Sequence, residues 1–210
     1  MKKETSSVNL VKRAAGRPRN FDREEALAVA MDLFWRHGFD GTSTSQLTNA
    51  MGISPPSLYA AFGSKEALYR EAVAQYQRRH GGFFAQPMAA DCTAKEAIKQ
   101  VLLGAAKQFS HSSHAPGCMV ASGELQTSAD NGFLVAEMTG LRRAAQQAIR
   151  ARLDAARKSG EIPTTTDTAS LAAFYAMVIQ GMAVQARDGA SAASLKRMAI
   201  LAMETWPRPD

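Results

Sequence analysis

Two clusters of residues in this chain carry chemistry of their own. Arg17 and Arg19 flank Pro18 in the run GRPR. Two guanidinium groups on a segment kept extended by Gly16 and Pro18 suit a narrow minor groove, where A·T tracts concentrate negative potential. The plainer reading is a flexible tether that touches phosphates alone. The second cluster centres on Cys118 in HAPGCMVASGE. Directly after a Pro-Gly turn, its place reads as the first turn of a helix, which lowers a thiol's pKa and favours the thiolate. That makes it a candidate redox or electrophile sensor, against the plainer reading of a small core residue. His111 and His114 are close by, but their spacing fits no standard ligand pattern and no metal is expected. No G-x-S-x-G elbow, phosphate-cradling glycine loop or HExxH occurs, and the four histidines have no acid partners in sequence. Neither an enzyme nor a cofactor is expected.

Composition frames these residues. A chain of 210 residues that is 46% hydrophobic can bury a substantial core. The net charge is +6, and residues 1–21 hold six basic side chains (Lys2, Lys3, Lys12, Arg13, Arg17, Arg19) against Glu4. A basic arm on a near-neutral body suits a polyanion, since phosphate neutralisation releases counterions; a solubilising tail would have the same composition. Two cysteines form no disulfide framework, and the N-terminus lacks an apolar core, so a reducing cytoplasmic compartment is expected. The apolar run Leu171–Val184 is too short and too interrupted for a membrane span and reads as a helix buried between protein surfaces.

The elements that must position these groups read as helical throughout, an all-α fold. Asp22 with Glu25 opens a first helix that runs to about His37, where Gly38 stops it and Phe39 tucks beneath. Short helices follow at Thr44 to Met51 and from Pro55 to Phe62, joined by Gly52, Ile53 and Ser54. Ser64 caps a fourth helix, Lys65 to about Arg79, which Gly81 and Gly82 end. Thr93 with Glu96 opens a helix to about Ser110, and another is expected from near Gly117. Asn131–Lys158, Thr168–Asp188 and Ser191–Trp206 complete the set. The chain divides into a basic arm (1–20), a three-helix head carried into a fourth helix (21–80) and a larger helical body (81–210).

Two short helices joined by a glycine-containing turn form a helix-turn-helix. Gly52 permits the bend, and Leu47, Met51, Ile53, Leu58 and Phe62 face inward, leaving the other face of the third helix free to enter a major groove. The residues themselves are more specific. TSTSQLTNAMGISPPSLYAAFGSKEALYREAV, preceded by LFWRHGFDG, resembles the DNA-binding domain of the TetR/AcrR regulators over about Asp22 to Val73. The resemblance implies that Thr44 and Ser45 approach the DNA backbone, that the Tyr59 phenol reaches a phosphate and that Lys65 contacts the backbone. Ser57 is expected on the exposed face beside them. Tyr59 could instead pack half-buried on the first helix, but Leu58 and Phe62 already supply the inward pair. Where the family's recognition helices carry long polar side chains, this one has Pro55, Pro56, Ala60 and Ala61. Direct readout is therefore limited to apolar contact of Pro56 or Ala60 with a thymine methyl, with DNA shape supplying the rest. Thr48 replaces the family's usual alanine.

Beyond Gly82 the resemblance is one of outline. It implies a signal-binding and dimerisation domain. Aromatics and methionines on these helices are candidate pocket residues, namely Phe109, Met119, Phe133, Met138, Phe174, Tyr175 and Met177, with Cys118 beside them; each has core packing as its plainer role. Leu171, Val178, Met182, Leu195, Met198 and Ala202 on the last two helices are the expected dimer face. The function so implied is a transcriptional regulator of repressor type, a homodimer on a pseudo-palindromic operator of double-stranded DNA, released by a small-molecule effector. The competing readings are a protein that coats DNA without choosing sequence and a helical enzyme.

Overall fold

The computed structural model describes residues 21–121 and 131–208, and the arm with Arg17 and Arg19 lies outside them. The helices are α1 (Arg23–His37), α2 (Thr44–Met51), α3 (Pro55–Phe62), α4 (Lys65–His80), α5 (Gly82–Ala89), α6 (Ala94–Phe109), α7 (Gly132–Lys158), α8 (Thr168–Arg187) and α9 (Ala192–Met203), with no strand among the described residues. Most begin at a short polar side chain that accepts from the first-turn N–H groups, as Asp22, Ser43, Ser54, Ser64, Thr93, Asp167 and Ser191 all do. A reciprocal capping box forms at Ser43 and Gln46. Glu161 adds a remote cap, its two carboxylate oxygens accepting from Ala94 N and Lys95 N at 2.8 and 2.9 Å.

In the head, α1 lies along α4, and α2 and α3 close one end. Phe34, Leu47, Leu58, Phe62 and Tyr69 are buried together. Gly38, at φ 72°, turns the chain back so that Phe39 packs edge-on to Tyr69 at 5.4 Å, as the sequence anticipates. Gly52, at φ 67° and ψ 30°, makes the left-handed bend of the helix-turn-helix, and Met51 and Ile53 pack half-buried beside it. Thr48 is accommodated because its hydroxyl donates to Thr44 O and Ser45 O at 3.0 and 3.1 Å. The C-terminal body pairs α6 with α9 and α7 with α8, and α5 lies on α6. α8 is long and apolar enough to cross a membrane by length and composition, but its Ala172, Tyr175, Ala176, Met182, Ala183 and Ala186 are buried within the protein.

Gly81 caps α4 after His80, as the sequence anticipates, but with right-handed helical angles, so the chain turns without a left-handed stop and resumes at once as α5, which the sequence did not disclose. Phe83 and Phe84 therefore pack on the core. No helix starts at Gly117. Gly117 through Ala121 form turns, and the rest of that expected helix falls on residues 122–130, outside the described residues.

Candidate nucleic-acid interface and signal cavity

Three anchors hold the reading head in shape. Arg23 pairs with Glu71 on α4 at 2.8 Å, stands 4.5 Å over the Phe62 ring and donates to Ala61 O at 3.3 Å, tying α1, α3 and α4 together. On the surface so framed, Tyr59 is 46% exposed, the position a phosphate contact requires and the half-buried alternative does not. Ser45, Pro56 and Ala60 are exposed and Thr44 is half-buried at the N-terminus of α2. Ser57 departs from its expected free exposure: half-buried, its hydroxyl lies 2.9 Å from that of Ser54 and its N–H donates to the same cap. Lys65 opens α4 as expected, yet its ammonium lies 4.1 Å above the Phe39 ring. That cation–π contact fixes the amine at the head's edge.

Behind the head lies an aromatic and histidine junction that the sequence did not disclose. Trp35 of α1 stacks on His114 at 4.6 Å and meets Tyr76 and His80 of α4 edge-on at 4.7 and 4.9 Å. Gln108 of α6 bridges the two imidazoles, its Nε2 lying 3.0 Å from His80 Nδ1 and 2.9 Å from His114 Nε2. His114 Nδ1 lies 2.8 Å from Ala115 O, which can only accept, so that nitrogen carries the proton and Nε2 of the neutral ring accepts from Gln108. Burial foremost, then His114 and Arg79, lower the His80 pKa, favouring the neutral ring that accepts from the same amide. Further ties from head to body are Arg70–Glu137 at 2.8 Å, Asn131 to Asp40 at 2.6 Å and Arg187 to Arg36 O at 3.3 Å.

The body contains a cavity of about 230 Å³ among α4, α5, α7 and α8 and the Cys118–Ala121 turns. Tyr76, Phe83, Phe84, Cys118, Leu141, Arg142, Ile149 and Ile179 are among its walls. Of the pocket residues expected from sequence, Cys118 alone lines it. Phe109, Met119, Met138 and Tyr175 are buried in the core, while Phe133 is partly exposed beneath the Arg70 guanidinium, 5.0 Å away. Phe174 lines a groove between α8 and α9, and Met177 is 62% exposed on α8. Phe109, Met119, Met138 and Tyr175 thus take the core packing that was their plainer role, and α5, unrecognised in the sequence, supplies one wall of the cavity. Cys118 takes its plainer role as a small buried residue: it lies in a loop rather than at a helix start, and burial pushes its thiol pKa up. A resting thiolate is thereby disfavoured.

The expected dimer residues divide. Leu195, Met182 and Ala202 are buried within the protomer, Leu171 and Val178 are half-buried, and Met198 is exposed. The outward apolar surface of these helices is carried by Met177, Val184, Met198 and Leu201, the last 70% exposed.

Comparison with known proteins matches this architecture. Residues 26–72 match the bacterial regulatory proteins, tetR family. The HTH-type transcriptional repressor ComR of Escherichia coli K12 is 33% identical over 204 residues, 97% of each chain. This chain belongs to the TetR family. The E. coli repressor BdcR is 40% identical over 111 residues, 53% of this chain and 56% of BdcR. Among solved structures, the TetR family regulator CifR, as a cysteine mutant complexed with a 26-bp double-strand operator DNA, superposes with a TM-score of 0.86 at 37% identity, covering 91% of this chain and all of that one. As a TetR-family member the protein is a DNA-binding transcription regulator, and the all-helical reading of the sequence stands.

Proposed function

We propose that this TetR-family regulator is a homodimeric repressor that holds a pseudo-palindromic operator and releases it when a small molecule enters the C-terminal body. The carrying observation is the outward apolar surface of α8 and α9. Met177, Val184, Met198 and Leu201 would be covered by the same surface of a second copy in a two-fold, four-helix contact. Such a dimer sets two heads on successive major-groove faces. Within each head, Tyr59, Thr44, Ser45 and Lys65 contact phosphates and Pro56 and Ala60 meet thymine methyls, with Ser57 supporting the N-terminus of α3. Arg17 and Arg19 reach the adjacent minor groove. The protein acts in the cytoplasm, without a cofactor.

Support for operator release comes from α4, which carries Lys65 at its head end and the cavity-lining Tyr76 three turns later. A ligand pressing on Tyr76 acts on the same rigid helix that sets the head. The test is selection from random duplexes at physiological salt, paired with sedimentation of the complex. An enriched palindrome bound by two chains supports the proposal. Flat enrichment with steep salt dependence would instead identify a DNA-coating protein, as the nearly bare face of α3 allows.

A further inference from the structure

The Tyr76 hydroxyl is buried against the Cys118 thiol and the Met119 backbone without a hydrogen-bond partner of good geometry, on a side chain that lines the 230 Å³ cavity. A donor or acceptor left unmade in the interior is costly, and a native structure retains one where something else supplies the partner. Tyr76 is only 2% exposed. Burial drives its phenol pKa far up, so it remains a protonated donor at all physiological pH. The other walls are mostly apolar, with Phe83, Phe84, Leu141, Ile149 and Ile179 beside the amides of Gln77 and Gln180, and among the described residues no Asp or Glu lines the space. Arg142 also lines it, but its guanidinium already donates to Val120 O and Thr139 Oγ1, both at 3.0 Å.

We infer that this cavity takes a small, uncharged, mainly apolar molecule carrying one hydrogen-bond acceptor, a carbonyl or ether oxygen that receives the Tyr76 hydroxyl proton. This rests on the effector reading above and gives that effector its chemistry. An ammonium would meet no carboxylate among the described lining residues, and a carboxylate would have to draw Arg142 from its present acceptors; either ion would lose its hydration without full compensation. The volume lies below the range of about 300–1,000 Å³ typical of drug-sized sites, so a single ring or a branched chain of similar bulk fits.

The test uses calorimetry on the full-length protein with three probes. Acetophenone has the shape and the acceptor, α-methylstyrene has nearly the same shape with a methylene in place of the oxygen, and benzoate carries charge. Acetophenone is expected to bind saturably, about five- to tenfold tighter than α-methylstyrene, and benzoate at least tenfold more weakly than acetophenone. Tyr76→Phe, which removes the hydroxyl alone, should abolish the preference for acetophenone over α-methylstyrene. Ala145→Trp, filling the cavity from α7 with folding checked by circular dichroism, should abolish binding of both. The inference is overturned if benzoate binds as well as acetophenone, if Tyr76→Phe retains the preference, or if no probe binds at millimolar concentration. Operator anisotropy on the same samples separates the two readings. Acetophenone binding without operator release would leave the ligand class standing and defeat the effector role, whereas operator binding with no probe bound would defeat the ligand class alone.

Discussion

At the scale of single residues, each role depends on whether a side chain faces water, the core or a cavity. Tyr59 faces water, so Tyr59→Phe should leave the melting temperature unchanged while weakening operator binding about 10- to 100-fold, the loss of one hydrogen bond to a charged acceptor. Fluorescence anisotropy on a labelled operator measures it, and an unchanged Kd would remove Tyr59 from the interface. Lys65→Ala should lower the slope of log K against log salt by about one, as one lost phosphate contact does. Gly117 illustrates a constraint of the opposite kind. Its φ is 82°, and a Cβ there would lie 2.7 Å from Ala183 O. Gly117→Ala should therefore destabilise by about 2 kcal/mol or more, visible as a fall of roughly 4–8 °C in Tm. The outward face of Tyr59 was legible from the inward pair Leu58 and Phe62. The burial of Cys118 was its plainer reading, but its place outside a helix was not legible, because the chain around it packs on α8, fifty or more positions away.

At the scale of elements, the bridge from Gln108 to His80 and His114 couples α6 and α4 to protonation. Both imidazoles lie at one amide, so a proton on His80 Nδ1 would set donor against donor on a ring 5.0 Å from that of His114. The groups facing this junction are Tyr76 and Arg79 on α4 and His111 on the following loop. Because the folded pKa of His80 is lowered, the unfolded chain binds more protons just below the usual value of about 6.5. Stability is thus complete above that value and is lost as pH falls from it toward the folded pKa. Thermal melts between pH 8 and 5.5 should show this acid loss, and Gln108→Glu, whose carboxylate accepts from a protonated His80, should reduce or reverse it. Identical pH profiles for the two proteins would show that the bridge is only a packing contact. The helices were individually readable from their caps and periodicity. α5 escaped because Gly81-Gly82 has the composition of a stop and does end α4, but the right-handed angles of Gly81 let the next helix begin at Gly82 with no loop between.

At the scale of the whole molecule, the head is joined to the body by the aromatic junction and by exposed polar links such as Arg70–Glu137. Exposed ion pairs contribute about 0–1 kcal/mol each, so the head can shift against the body without unfolding either. The α8–α9 surface carries the complementary prediction. Leu201→Glu places a charge at the centre of the proposed dimer contact but touches no protomer core, since Leu201 is 70% exposed. Sedimentation should show a folded monomer, with operator affinity reduced more than tenfold because one head alone meets half the site. A stable dimer from this variant would move the interface elsewhere.

What could be read from residue order was whatever is encoded locally: helix caps, the Gly52 bend, the inward pair of the third helix and the motif that carries the family. These depend on neighbours within about one helical turn, where covalent connection already sets the spacing. The cavity, the Trp35–His114 stack and the division of α8 and α9 into buried and outward faces come from residues distant in the chain. Met182 and Met177 are alike in type and share one helix, yet the first is buried in the protomer and the second is 62% exposed. Only the packing of α8 against its neighbours separates them, because a helix that is apolar on most sides does not itself specify which side is covered.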